Sequence, residues 1–83
     1  MEKDLIQNFA EKMTYKLDMR KDRYQPMAWQ SMDLKRLIKL LKGELEELEE
    51  GYKNNDKENI KEEAIDIANF ALFIYEVANN GSR

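Results

Sequence analysis

Residues 34–51 read LKRLIKLLKGELEELEEG, and two patterns overlap in them. Leu34, Leu37, Ile38, Leu41, Leu45 and Leu48 recur at spacings of three and four, which predicts an amphipathic helix ending near Gly51. Set among them, between Gly43 and Gly51, are five glutamates in nine residues. Residues three and four apart share a helix face, so each glutamate is placed by its neighbours. Glu46 and Glu49 fall on a stripe with Lys35, Lys39, Lys42 and Lys53, charged throughout and therefore solvated. Glu44 and Glu47 instead continue the apolar stripe of Leu37 and Leu40.

A second acidic pair does the same in reverse. In residues 62–70, EEAIDIANF, Glu63 and Asp66 lead into Phe70, Phe73 and Val77 on one face of a third helix, which Ile60, Ala64, Ile67, Ala71, Ile74 and Ala78 also mark. Asn54-Asn55-Asp56 supplies turn and N-cap residues between the two helices, and Asn79-Asn80-Gly81 closes the third. With Asn55 as the centre of an antiparallel hairpin, Glu47 faces Glu63 at ~12 Å from the turn and Glu44 faces Asp66 at ~16 Å, at ~1.5 Å rise per residue. Leu40 is matched with Phe70 and Leu37 with Phe73 by the same rule.

Four carboxylates converging at the end of an apolar seam repel one another, and burial raises their pKa values unless a positive charge compensates. Either the pairs splay into water or meet lysines, or they hold a divalent cation. An all-oxygen set favours a hard ion, Mg²⁺ with Mn²⁺ as a substitute. The chain has no histidine and no cysteine, which excludes the usual zinc sites and the Glu-x-x-His di-iron bundle, and no calcium-loop motif is present. Mg²⁺ held by carboxylates keeps positions for water and phosphate, which points to phosphoryl chemistry.

The rest of the chain supports a small all-α domain. Leu5, Ile6, Phe9, Met13 and Leu17 predict a first helix over about residues 2–21. Tyr24-Gln25-Pro26-Met27-Ala28-Trp29-Gln30-Ser31 interrupts the pattern, with Pro26 as breaker and Ser31 as the expected N-cap of the next helix. Eighty-three residues without cysteine bury a limited core, so the expectation is one domain over 1–83. Its three antiparallel helices complete a bundle by oligomerisation. No apolar run approaches the ~20 residues that span a bilayer, and the amphipathic start MEKDLIQNF is unlike a signal peptide. The cytoplasm is the expected location.

Charge is uneven. Residues 1–43 carry ten Lys/Arg against six Asp/Glu, whereas 44–83 carry four against eleven. The two halves are either self-complementary or divide phosphate binding from metal binding. Asp18 and Asp22 interrupt the basic residues Lys12, Lys16, Arg20, Lys21 and Arg23, so no nucleic-acid partner is expected. In a simple up-down bundle these cations lie ~18 Å from Glu44, twelve residues along the helix. Reaching the acids then requires the 21–31 segment to fold back or a neighbouring subunit to supply them, and the neighbour is the favoured source.

Glu44-x-x-Glu47, fifteen residues, then Glu63-x-x-Asp66 and Asn69-Phe70 resembles the signature of the MazG-like all-α nucleoside triphosphate pyrophosphohydrolases, over roughly Trp29 to Val77. The resemblance implies a homodimeric or homotetrameric helical bundle that converts an NTP or dNTP to the monophosphate and pyrophosphate. Glu44, Glu47, Glu63 and Asp66 would hold Mg²⁺, and a metal-bound or carboxylate-steered water would attack the α-phosphorus, with Glu47 as the candidate base. Asn69, Lys61, Trp29, Lys16 and Arg20 are candidate substrate contacts. Each has a plainer alternative: a helix–helix hydrogen bond for Asn69, a surface role for Lys61, a core-closing ring for Trp29. The competing function is a non-catalytic helical module for oligomerisation or protein interaction.

Overall fold

The computed structural model describes residues 2–19 and 33–80, which form three α-helices with no strand among them. They are α1 (Glu2–Met19), α2 (Leu34–Lys53) and α3 (Lys57–Asn79). The all-α class expected from the periodicity is the one observed.

The α2–α3 hairpin is fixed at its ends by side chains. Asp33, in extended conformation, caps α2 by accepting a hydrogen bond from the Arg36 amide at 2.9 Å. The expected cap, Ser31, lies outside the described residues; Asp33 takes the role because it stands directly before the first apolar residue of the helical pattern, Leu34. At the other end α2 runs two residues past Gly51. Asn55 adopts φ 56°, the left-handed region that asparagine tolerates better than most residues. Its amide donates to the Tyr52 carbonyl at 3.1 Å, and the Asp56 amide to the Gly51 carbonyl at 2.9 Å, which is a Schellman closure. Asp56 then caps α3 through the Asn59 amide at 3.1 Å.

α2 thus ends near Gly51, as the sequence reading has it, but the glycine itself lies inside the helix. It is a buried contact point: a Cβ there would meet Asn59 Nδ2 at 2.8 Å and Ile60 Cγ1 at 3.3 Å. Losing the side chain lets α2 and α3 approach closely beside the turn. Further along, Leu37, fully buried, packs with Phe73 and Val77, flanked by Leu34, Phe70 and Ile74. Phe70 and Phe73 meet edge to face at 5.7 Å between ring centroids. Residue numbers fall along α2 as they rise along α3, the antiparallel register that the turn and the stripes predict.

α1 packs on α3. The Asn69 side-chain amide donates to the Met13 carbonyl at 3.3 Å, and Lys16 reaches Glu62 and Asp66, so α1 runs antiparallel to α3. α3 is thus covered from two sides. Its buried residues Glu63, Ile65, Asp66, Asn69, Phe73 and Val77 span an arc of about 160° at ~100° per residue, wider than a single seam. α1 has no buried residue of its own, and Leu5 and Ile6 of the predicted apolar stripe are each 69% exposed. No helix among the described residues is long and apolar enough to cross a membrane.

Candidate metal centre

The hairpin register delivers the acids to one place. Glu44 is half-buried on α2; Glu63 and Asp66 on α3 are buried, 7% and 6% exposed. One carboxylate oxygen from each lies within 4.8 Å of those of the other two. Glu47, the fourth acid of the signature, is exposed at the rim and hydrogen-bonds Glu63.

The electrostatics of this group are unbalanced. Burial, above all, pushes the Glu63 carboxyl up from 4.5 to about 7. Its hydrogen bond to Glu44, and the charges of Glu44 and Asp66, act in the same direction, while the hydrogen bond with Glu47 opposes them. Glu63 Oε1 is buried with no hydrogen-bond partner. A buried carboxylate oxygen left unpaired is costly, and the residue that carries it is grouped with two further acids. The donor set is all oxygen, the spacing is short, and one oxygen lacks a partner. Those features fit a hard divalent ion.

A cation also arrives from the protein itself. Lys16 Nζ lies 2.9 Å from Glu62 Oε1 and 3.1 Å from Asp66 Oδ1, with its side chain 15% exposed. The sequence favours a neighbouring subunit as the source of basic residues at the acids. For Lys16 that is corrected: α1 lies along α3 rather than beside the start of α2, so its last turn stands level with Glu62 and Asp66 of the same chain.

The other candidates divide. Asn69 is buried one turn beyond Asp66; its amide nitrogen makes the contact to Met13, and its Oδ1 is buried without a partner. Lys61 points to solvent and pairs with Glu58 at 3.3 Å. Trp29 and Arg20 lie outside the described residues. Glu62 was not singled out in the sequence; its position four residues before Asp66, on the face toward α1, is the signal that marks it once α1 is placed.

A family model described as phosphoribosyl-ATP pyrophosphohydrolase matches residues 6–79. The chain is 34% identical over 50 residues to an uncharacterized protein of Archaeoglobus fulgidus, an alignment covering 60% of this chain and 54% of the relative. It thus spans about half the length of the curated relative it matches. No solved structure matches it. From a match that runs through all three helices and both acidic pairs, the chain belongs to the phosphoribosyl-ATP pyrophosphohydrolase family, within the MazG-like all-α NTP pyrophosphohydrolase superfamily.

Proposed function

We propose that the protein is a Mg²⁺-dependent nucleotide pyrophosphohydrolase that converts an NTP or dNTP to the monophosphate and pyrophosphate, with Mn²⁺ able to replace Mg²⁺. The observation that carries this reading is Glu63: a buried carboxyl with an unpartnered oxygen, gathered with Glu44 and Asp66 on facing helices. Glu44, Glu63 and Asp66 are the proposed core ligands, with Glu47 beside them at the rim. Bound there, the ion supplies neutralisation of phosphate charge and activation of water.

The chain's own residues supply the remaining functions. Glu47, exposed and hydrogen-bonded to Glu63, is the proposed base, accepting a proton from a water that enters from solvent. The apolar block of Phe70, Phe73 and Leu37 continues the seam on the side away from the turn. Asn69 Oδ1 offers an acceptor one turn from Asp66 for a hydroxyl of the substrate or for an ordered water. The exposed apolar residues of α1, Leu5 and Ile6 with Tyr15 and Met19, are the surface on which a second copy completes the bundle.

A purely associative helical module would need the same core and the same exposed α1, but it leaves the buried Glu63 without a purpose. The decisive experiment is incubation with a panel of NTPs and dNTPs plus Mg²⁺, with release of pyrophosphate as the readout. No pyrophosphate from any of them at high protein concentration, with Mn²⁺ also tried, would favour the associative module.

A further inference from the structure

Lys16 brings a cation to the acid group from a different helix than all four acids. Its two carboxylates differ in character. Asp66 is 8% exposed along its side chain and is a member of the three-acid group; Glu62, one turn earlier on α3, is 59% exposed and is not. A lysine ammonium is a compact charge on a flexible four-carbon stem, able to move between such partners without moving its helix. α1 has an independent backbone anchor close by, in the Asn69–Met13 hydrogen bond.

We propose that Lys16 is an exchangeable counter-ion of the site. It shares Asp66 with the divalent cation, gives way toward the exposed Glu62 where the cation takes Asp66, and from there meets the polyphosphate of the incoming nucleotide. This rests on the metal-dependent reading given above and adds to it a positioning residue and an order of events. The physical basis is that an ammonium and a dication drawing on one carboxylate repel each other at short range. Their coupling is reciprocal: whatever Lys16 contributes to holding Asp66 in place of the ion, the ion must overcome. Withdrawal to Glu62 leaves the ammonium on an exposed carboxylate, where a chain of phosphates carrying several negative charges is a better partner than that single acid.

Two other roles predict different outcomes. A lysine that merely orients Asp66 as a ligand would strengthen metal binding, so its loss would weaken it. A lysine that only fastens α1 would, when removed, lower binding of every ligand together with stability. Exchange predicts opposite signs for metal and polyphosphate.

The test is calorimetric titration of wild type, Lys16→Met and Lys16→Arg, first with Mn²⁺ alone and then with inorganic tripolyphosphate at saturating Mn²⁺. Expected for Lys16→Met is Mn²⁺ binding about fivefold tighter, the lower end of ordinary inter-site coupling, and tripolyphosphate binding weaker by a similar factor. Lys16→Arg should stay close to wild type in both. Mn²⁺ affinity that is unchanged or reduced in Lys16→Met, or tripolyphosphate affinity that is unchanged, overturns the proposal while the metal centre stands. Absence of Mn²⁺ binding to wild type overturns the metal centre and the proposal with it. Should Lys16→Met not fold, Mg²⁺ titration of the wild type decides. Lys16 ε-methylene and ammonium resonances that shift in step with saturation support exchange, and stationary ones refute it.

Discussion

Glu63→Gln removes one ionisable group from the acid cluster without changing its shape, and it should make the metal-free protein more stable. The Glu63 carboxyl is raised from 4.5 to about 7 by burial and by Glu44 and Asp66. Below pH ~4.5 folded and unfolded chains both hold this proton, and the group contributes nothing to the pH dependence. Between ~4.5 and ~7 the folded chain keeps a proton that the unfolded chain has released, so stability falls as pH rises. Above ~7 both are ionised and the full penalty is present. At ~1.36 kcal/mol per pKa unit that penalty is about 3 kcal/mol at pH 8 and under ~1 kcal/mol at pH 5. Glutamine reproduces the protonated acid: neutral, of the same length, and able to donate to Glu44. Glu44 and Glu47 from α2, Asp66 from α3 and Lys16 from α1 remain in place, so the difference between the two proteins isolates residue 63.

The assay is thermal unfolding by circular dichroism in EDTA at pH 5 and pH 8. For a domain of this size ~1 kcal/mol moves the midpoint by roughly 4–8 °C, so Glu63→Gln should melt on the order of 10–20 °C above wild type at pH 8 and within a few degrees of it at pH 5. Added Mg²⁺ should then raise the wild-type midpoint at pH 8 through linkage, and leave the variant nearly unmoved. A variant less stable than wild type at pH 8, or a gap that does not shrink between pH 8 and pH 5, would refute the reasoning about a strained acid cluster.

The remaining expectations concern single positions. Glu47→Gln should lose most pyrophosphate release while keeping the Mg²⁺-induced rise in melting temperature, because the rim acid is the proposed base and the three inner acids remain; loss of both would make it an obligatory ligand instead. Gly43→Ala should stabilise the protein by about 1 kcal/mol in urea unfolding, since a Cβ there meets nothing within 4 Å and alanine is the better helix former. Gly51→Val should destabilise by about 1–3 kcal/mol, because its branched side chain must displace Asn59 and Ile60. Asp33→Ala should cost about 1 kcal/mol through the lost Arg36 cap, measured in the same way.

The helices, the turn and the pairing of the acids were legible because each is written in local chemistry. A 3.6-residue period in Leu34–Leu48 and in Glu63–Val77 fixes which side chains share a face, and Asn55 with Asp56 fixes a short connection. Short connection and matched faces together set the antiparallel register, so Glu44, Glu63 and Asp66 could be brought together on paper. Glu47 shows where that reading thins: its height was right, but height along a helix does not say how far a rim residue turns toward solvent. The place of α1 was not legible at all. Its stripe of Leu5, Ile6, Phe9, Met13 and Leu17 states only that one face is apolar, and thirteen residues separate it from the described start of the hairpin. Only tertiary packing decided that α1 lies antiparallel on α3, with Met13 on Asn69 and Lys16 on Asp66. Periodicity is a property of one helix and its own neighbours in sequence. Which helix covers which depends on contacts between residues fifty apart, and those exist only once the chain has folded.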